Sequence, residues 1–216
     1  MFDWRTRPLA FAIALAIGAG SAAADPATDR LLADVRAAYE SITTVRATFT
    51  QTNDWGLLAD VETYRGELCV TSDGRLRIEY VEPKGHLLVS DGTWLWTYIP
   101  ESGQAVRAAA RTTGDALRRL FLDFLSGQRL VDVRLEESSA TLILEPEDEL
   151  ALRELAIRVD RRTGLGREYA WTDLEGNTAR YVLTSMETNA SFDDELFEFT
   201  PPSGVEVVEL DEPGNG

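Results

Sequence analysis

The chain has few of the residues that carry out chemistry. Cysteine and histidine each occur once, as Cys69 and His86. A single cysteine excludes an intramolecular disulfide, so stability must come from an ordinary core. A serine triad would have only His86 to use, and no G-x-S-x-G elbow accompanies it. H-E-x-x-H and C-x-x-C are both missing. Cys69 falls on the wet, outer face of its strand by the alternation given below, which argues against pairing with His86. Gly164-Leu165-Gly166 is not followed by a helical pattern, so it is no phosphate loop. The acidic run Glu145, Glu147, Asp148 and Glu149 is interrupted by Pro146 and lacks an EF-hand pattern; it reads as a solvated loop. The expectation is a protein that is not an enzyme, with no catalytic residue, no metal and no cofactor.

Basic side chains are also scarce. Lys and Arg total 21 against 37 Asp and Glu, a net charge of −16. Nucleic acid is therefore excluded as a partner, because phosphate contacts need a basic patch. Docking on an anionic bilayer by charge alone is disfavoured for the same reason. The acids are scattered among apolar residues and read as a solvated outer face. Long apolar runs are limited to one, Leu9 to Ile17, too short to span a bilayer. Arg5 and Arg7 precede it, and Ala22-Ala23-Ala24 follows it as a small-residue cleavage site. Residues 1–24 thus read as a secretory signal peptide, with the mature chain starting at Asp25. That residue is not a cysteine, so the pattern of a lipid-anchored lipoprotein is absent. Residues 25–210 read as one domain, and Asp211 to Gly216 as a frayed, disordered tail.

The positive signals are periodic. Pro26 to Ile42 is an amphipathic helix, with Leu31, Leu32, Val35, Tyr39 and Ile42 at helical spacing and Asp25 or Thr28 as its cap. The period then switches to two. Val45, Ala47 and Phe49 alternate with polar residues, as do Tyr64, Leu68 and Val70, and Leu76, Ile78 and Tyr80. A three-residue loop, Ser72-Asp73-Gly74, places Val70 opposite Leu76 and Leu68 opposite Ile78. A two-residue turn would place apolar residues opposite charged ones. The longer loop, with Gly74 in the left-handed conformation, is the predicted one. Further strands read from His86 to Ser90, Thr93 to Ile99, Leu130 to Glu136, Ser139 to Glu145, Leu152 to Asp160, Arg167 to Thr172 and Thr178 to Met186, with short apolar pieces at Leu196 to Phe199 and Val205 to Val208. This makes about ten or eleven strands joined mostly by hairpins. One segment breaks the pattern. Thr113 to Ser126 carries Leu117, Leu120, Phe121, Phe124 and Leu125 at helical spacing, with Gly127 as a stop.

Two short helices cannot cover the apolar face of so many strands. The sheet either curls around a hollow, with the helices closing it, or packs flat against itself or a partner; patterning alone leaves both open. The hollow would be lined by Phe49, Tyr64, Leu68, Val70, Leu76, Ile78 and Tyr80 from the sheet, and by Leu117, Leu120, Phe121 and Phe124 from the second helix. Each of these is equally a residue of an ordinary packed core.

Val89-Ser90-Asp91-Gly92 followed by Leu95-Trp96 and Tyr98-x-Pro100 resembles the periplasmic outer-membrane lipoprotein carrier family, LolA. Ala47-Thr48-Phe49-Thr50-Gln51, Gly66-Glu67-Leu68 and Arg77-Ile78-Glu79-Tyr80 with Pro83 extend the resemblance upstream. Downstream it continues through Asp173-x-x-Gly176-Asn177-Thr178 and Phe197-x-Phe199-x-Pro201-Pro202-x-Gly204-Val205. The resemblance implies a mainly β (α+β) fold: a single curved antiparallel sheet forming an incomplete ~11-stranded β-barrel, with helices as a lid over an apolar cavity. It further implies a periplasmic monomer that takes the acyl chains of lipoproteins from an inner-membrane lipoprotein-releasing ABC transporter and delivers them to an outer-membrane receptor. The family's turn before the third strand carries an arginine beside a proline, whose hydrogen bonds to the lid hold the empty cavity shut. Ser72 and Asp73 stand at the matching positions here, and Leu76 at that of the adjacent phenylalanine. Arg75 and Arg77 are the nearby candidates to replace the arginine, Arg77 being on the outer face by alternation. Other readings are a carrier of another envelope lipid such as a glycolipid, a lipid-sensing regulatory protein, and an enzyme of envelope lipid that would have to use His86.

Overall fold

The computed structural model describes residues 25–56, 60–110, 113–126, 129–146 and 152–210. The expected signal peptide, the tail from Asp211, Gly127 and the acids Glu147 to Glu149 lie outside the described residues.

Helix α1 (Pro26–Glu40) starts where the sequence signals it. The Asp25 side chain accepts from Ala27 N at 3.1 Å and Pro26 fills the first helical position. Leu31 and Val35 are buried from its apolar stripe. Two meanders follow: β1 (Thr44–Trp55), β2 (Asp60–Thr71), β3 (Leu76–Glu82), β4 (Lys84–Ser90), β5 (Trp94–Ile99) and β6 (Gln104–Ala109), then, after helix α2 (Thr113–Leu122), β7 (Leu130–Leu135), β8 (Ser139–Leu144), β9 (Leu152–Asp160), β10 (Gly166–Asp173) and β11 (Thr178–Thr188), with β12 (Glu206–Glu209) at the end. They form one open, curved, 12-stranded sheet in the order β12-β6-β5-β4-β3-β2-β1-β11-β10-β9-β8-β7. The predicted register is present: Leu68 faces Ile78, Val70 faces Leu76, and Gly74 has a φ of 97°.

This order fixes the place of α2. The strands it connects, β6 and β7, lie near opposite edges of the sheet, because β1 pairs with β11 and joins the two meanders at their first and last strands. The chain has to cross from one edge to the other between them. It does so over the concave face, where Leu120, Phe121 and Leu122 of α2 are buried in the same core as residues of β1, β2, β3, β8, β9, β10 and β11. Register shifts at Thr48/Phe49, Arg65/Gly66 and Thr172/Asp173 are irregularities of the kind that bend strands and let a sheet curl.

Four details of the sheet and helices differ from the sequence reading or go beyond it. Leu196 to Phe199 is not a strand: Asp194–Phe197 is a 3-10 turn, closed by Leu196 N to Asp193 O at 3.1 Å and Glu198 N to Glu195 O at 3.2 Å. β6, alanine-rich and weakly alternating, escaped the sequence reading. β12 pairs parallel with β6, where the other strand pairings described are antiparallel. The second helix ends at Leu122, four residues early, and the chain turns with Ser126 N bonded to Asp123 O, keeping Phe124 buried without helical backbone.

The outer face is not uniformly wet, and Cys69, which lies on that face, is covered. After β11 the chain runs back across the outside of the sheet. Phe192 lies under the Arg46 guanidinium (4.9 Å), Phe197 under that of Arg75 (4.9 Å), Arg77 donates to Leu196 O (3.2 Å), and Phe199 packs on Trp96 and Tyr98, both at 5.6 Å. Cys69 does point outward, opposite Arg46, yet it is 2% exposed beneath this cover.

Candidate functional site

Ten of the eleven residues predicted to line a hollow meet in one place. Phe49, Leu68, Val70, Leu76 and Ile78 on the sheet and Leu120, Phe121 and Phe124 opposite them are buried in one cluster, with Tyr80 and Leu117 half-buried against it. The other half of the sheet adds Leu142, Leu144, Leu155, Ile157 and Tyr169, all buried. α2 and the turn after it occupy the space that these walls enclose. Tyr64 stands apart, in a separate cleft of about 250 Å³ with Gln51, Asn53, Tyr80, His86 and Tyr98, and reaches the cluster through the edge of Tyr80 (5.9 Å).

Two groups of rings hold the concave wall. The first runs over β3, β1, β11 and β10, passing above Gly66 of β2: Tyr80 meets Phe49 at 5.5 Å, Phe49 meets Tyr181 at 5.3 Å, and Tyr181 stacks on Trp171 at 5.1 Å. Its polar ends are satisfied, since the Tyr80 hydroxyl donates to Gln51 Oε1 at 2.8 Å and lies 3.1 Å from that of Tyr181. The second joins the helices to the sheet. Tyr169 on β10 meets Phe121 at 5.0 Å and Phe124 at 6.4 Å, and Phe124 meets Tyr39 of α1 at 5.1 Å. Tyr39 stands on the apolar stripe of its helix, but the Tyr169 hydroxyl beside its own is 130 residues away in the chain. Tyr169 and Tyr181 carry no such signal in the sequence, and Tyr39 is not among the residues expected to line a hollow.

The electrostatics are those of an apolar container. Burial pushes the phenols of Tyr39, Tyr80, Tyr169 and Tyr181 upward, the last two well above the usual range. Tyr64 is pushed up to about 12, chiefly by donating to Glu62. All are neutral hydroxyls at neutral pH, which suits packing against hydrocarbon. His86 Nε2 lies 2.8 Å from Glu101 Oε2. Among the described residues, no three His, Cys, Asp or Glu side chains converge as metal ligands would, and Glu145 of the acidic run pairs with Arg129.

Among the described contacts, neither arginine near Ser72 reaches α2. Arg75 is bound to Asp73 (2.9 Å) and Asp194 (2.6 Å), and Arg77 to Glu79 (2.7 Å) and Leu196 O, so both hold the outer cover of the sheet. Ser72 itself borders a larger cleft, about 650 Å³, between α1 and residues 122–125.

Comparison with known proteins agrees with this architecture. Residues 40–200 match the model of the family described as outer membrane lipoprotein carrier protein LolA. An outer-membrane lipoprotein carrier protein of Chromobacterium violaceum is 31% identical over 205 residues, covering 92% of this chain and 96% of its own. One from Haemophilus influenzae is 29% identical over 162 residues, 74% of this chain and 78% of its own. Among solved structures, an uncharacterized conserved protein from Thermus thermophilus superposes with a TM-score of 0.53 at 12% identity, covering 85% of this chain and 99% of that one, a likeness of fold alone.

Proposed function

This chain belongs to the LolA family of outer membrane lipoprotein carriers, and from that premise we propose that it carries lipoproteins by sheltering their acyl chains against the concave face of its sheet. The observation that supports this reading is the way that face is covered. Among the described residues no second sheet lies on it; a ten-residue helix and the turn after it supply Leu120, Phe121 and Phe124 to a wall that includes Phe49, Leu68, Val70, Leu76 and Ile78. Such a plug is small, one short helix and a turn, so an aliphatic chain can take its place against the same wall. Each methylene removed from water is favourable by ~0.8 kcal/mol. A wall of aliphatic and ring carbons therefore suffices to hold an acyl chain without a strong polar contact.

The partners that complete this reading are an inner-membrane lipoprotein-releasing ABC transporter, which supplies the cargo, and an outer-membrane receptor, which accepts it. The place of action is the periplasm, reached after removal of residues 1–24. The carrier forms no bond to its cargo and breaks none. The test is to mix the protein with a triacylated lipoprotein and with the same polypeptide lacking its acyl chains, then to look for a soluble complex by gel filtration. A complex with the acylated form alone is expected. Equal binding of both forms, or of neither, overturns the proposal.

A further inference from the structure

The concave face changes character along its strands. On β1, Val45, Ala47 and Phe49 are buried and apolar, and the next positions of the same alternation are Gln51 and Asn53. Tyr64 lies opposite Gln51 on β2, and on β3 the apolar pair Leu76 and Ile78 gives way to Tyr80. On β4, Leu88 stands between Ile78 and Thr97, with His86 next along the same face. Gln51, Asn53, Tyr64, Tyr80, His86 and Thr97 thus form a polar stretch at one end of an apolar wall, and all six line the cleft of about 250 Å³. That is the space of about eight waters. None of the residues lining it comes from α1 or α2. Tyr80 and Leu88 belong both to the cleft and to the rim of the core, so the polar stretch and the apolar wall are continuous.

The hydrogen bonds of the cleft decide what it can hold. Tyr64 donates to Glu62 Oε2 at 2.6 Å, Tyr80 donates to Gln51 Oε1 at 2.8 Å, and Gln51 Nε2 donates to Asn53 Oδ1 at 2.8 Å. These bonds orient the Asn53 amide with its nitrogen as the remaining donor. Among the described hydrogen bonds, neither that nitrogen nor the Thr97 hydroxyl has a partner. No lysine or arginine lines the cleft. Two carboxylates stand one bond behind it, Glu62 beneath Tyr64 and Trp55, and Glu101 at 2.8 Å from His86 Nε2. Bonds from Tyr64 and Trp55 hold Glu62 below the usual carboxylate range, and bonds from its own backbone N–H and from His86 do the same for Glu101. An anion in the cleft therefore meets two like charges and no lining lysine or arginine. A neutral group with carbonyl or hydroxyl oxygens meets an amide and a hydroxyl free to pair with it.

We infer that this cleft seats the uncharged polar head of an acylated cargo, and that its wall, free of lysine and arginine and backed by Glu62 and Glu101, discriminates against lipids with a phosphate head. The inference rests on the carrier reading and adds to it the chemical class of the head. That chemistry is common to the glyceryl thioether and amide of an acylated cysteine and to a sugar. It gives a protein surrounded by phosphate-headed membrane lipid a way to leave that lipid behind, independent of the aliphatic tails that both kinds of molecule share.

The experiment titrates the protein by calorimetry, below micelle-forming concentrations, with three amphiphiles of equal tail length: N-dodecanoyl-S-glyceryl-cysteine amide, dodecyl β-glucoside and dodecyl phosphate. A neutral head is expected to bind about tenfold more tightly than the phosphate. Preference for the cysteine amide supports the cleft with a lipoprotein as its cargo, and preference for the glucoside supports it with a glycolipid. Asn53→Leu weakens the preferred neutral ligand by about fivefold, the factor of one neutral hydrogen bond. Glu62→Gln combined with Glu101→Gln narrows the gap between neutral and phosphate heads to about threefold or less. Equal binding of all three ligands by the wild type overturns the discrimination, and an unchanged affinity in Asn53→Leu overturns the cleft as the seat of the head. Each of these leaves the carrier reading standing, since the tails still bind. Folding of the variants is checked by circular dichroism. Should Asn53→Leu fail to fold, the doubly substituted protein decides, an unchanged gap overturning the inference. Absence of binding of any of the three to the wild type overturns the carrier reading and this inference together.

Discussion

The Phe49 ring lies across Gly66, the residue directly opposite it on β2. A Cβ on Gly66 would stand 2.7 Å from Phe49 Cζ and 2.3 Å from the carbonyl oxygen of Glu79 on β3. The second contact is with backbone, so rotating the ring cannot relieve it. Gly66→Ala is expected to lower stability by about 1–3 kcal/mol, the usual cost of overpacking a core. Phe49→Leu in the same chain should not restore it. Urea midpoints of the single and double variants check this; full rescue by Phe49→Leu would locate the clash in the ring alone.

Phe121 is 2% exposed between α2 and Tyr169. Phe121→Ala removes a ring from the plug and should cost about 3–5 kcal/mol of stability in the empty protein. The vacated space lies where the acyl chain is proposed to sit. Binding of the triacylated lipoprotein should therefore persist or strengthen, and the thermal midpoint should rise more on loading than it does in the wild type. Calorimetry with and without cargo reads both quantities. Loss of binding in a folded Phe121→Ala protein would show the ring to be a contact rather than a stopper.

Five of the six tyrosines have phenols raised in the folded state: Tyr39, Tyr80, Tyr169 and Tyr181 mainly by burial, and Tyr64 mainly by its bond to Glu62. An unfolded tyrosine ionises near pH ~10. Below that pH both states hold the proton and the contribution to stability is complete. Above it the unfolded chain releases protons that the folded chain retains, so stability falls as pH rises toward the folded values. Urea midpoints should be level from neutral pH to about pH 9 and then decline. Phenolate absorbance should appear together with unfolding rather than before it.

Cys69 is covered by the segment that carries Phe192 and Phe197, and burial pushes its thiol upward. Reaction with a disulfide reagent should be slow in the native protein and fast in urea. Phe192→Ala, which removes the ring beneath Arg46, should raise the native rate severalfold without unfolding the sheet. Equal rates in native and unfolded protein would show that the cover over Cys69 does not close in solution.

Much of this architecture was legible because it is local. The Val70–Leu76 register followed from alternation and a three-residue turn, and the amphipathic stripe of residues 113–126 identified the plug before its position was known. The rest is set by contacts distant in the chain. Nothing near Tyr39 announces Tyr169, and nothing near Cys69 announces Phe192. Alternation shows which face a residue takes, but not whether a later segment will come back to cover that face. Likewise β6 has two of its six residues as valine or arginine and the rest as glutamine or alanine, too faint a pattern to read, and its pairing with β12 is with a strand about a hundred residues later. The wall proposed to shelter acyl chains reads like any core; the clue to that reading is that too few helical residues are available to cover so many strands.

The pairing of β1 with β11 has a consequence for how the protein comes into being. Val45 finds its neighbour Thr188 only when nearly the whole chain is present, and until then the first meander lacks the strand that joins it to the second. Contacts so distant in sequence make folding slow, because a long loop must close before they form. A nascent chain emerging with its N-terminus first cannot complete this sheet prematurely. For a protein proposed to leave the cytoplasm through a signal peptide, that delay keeps the polypeptide threadable during export and postpones assembly of the container until the chain has reached the compartment where its cargo is met.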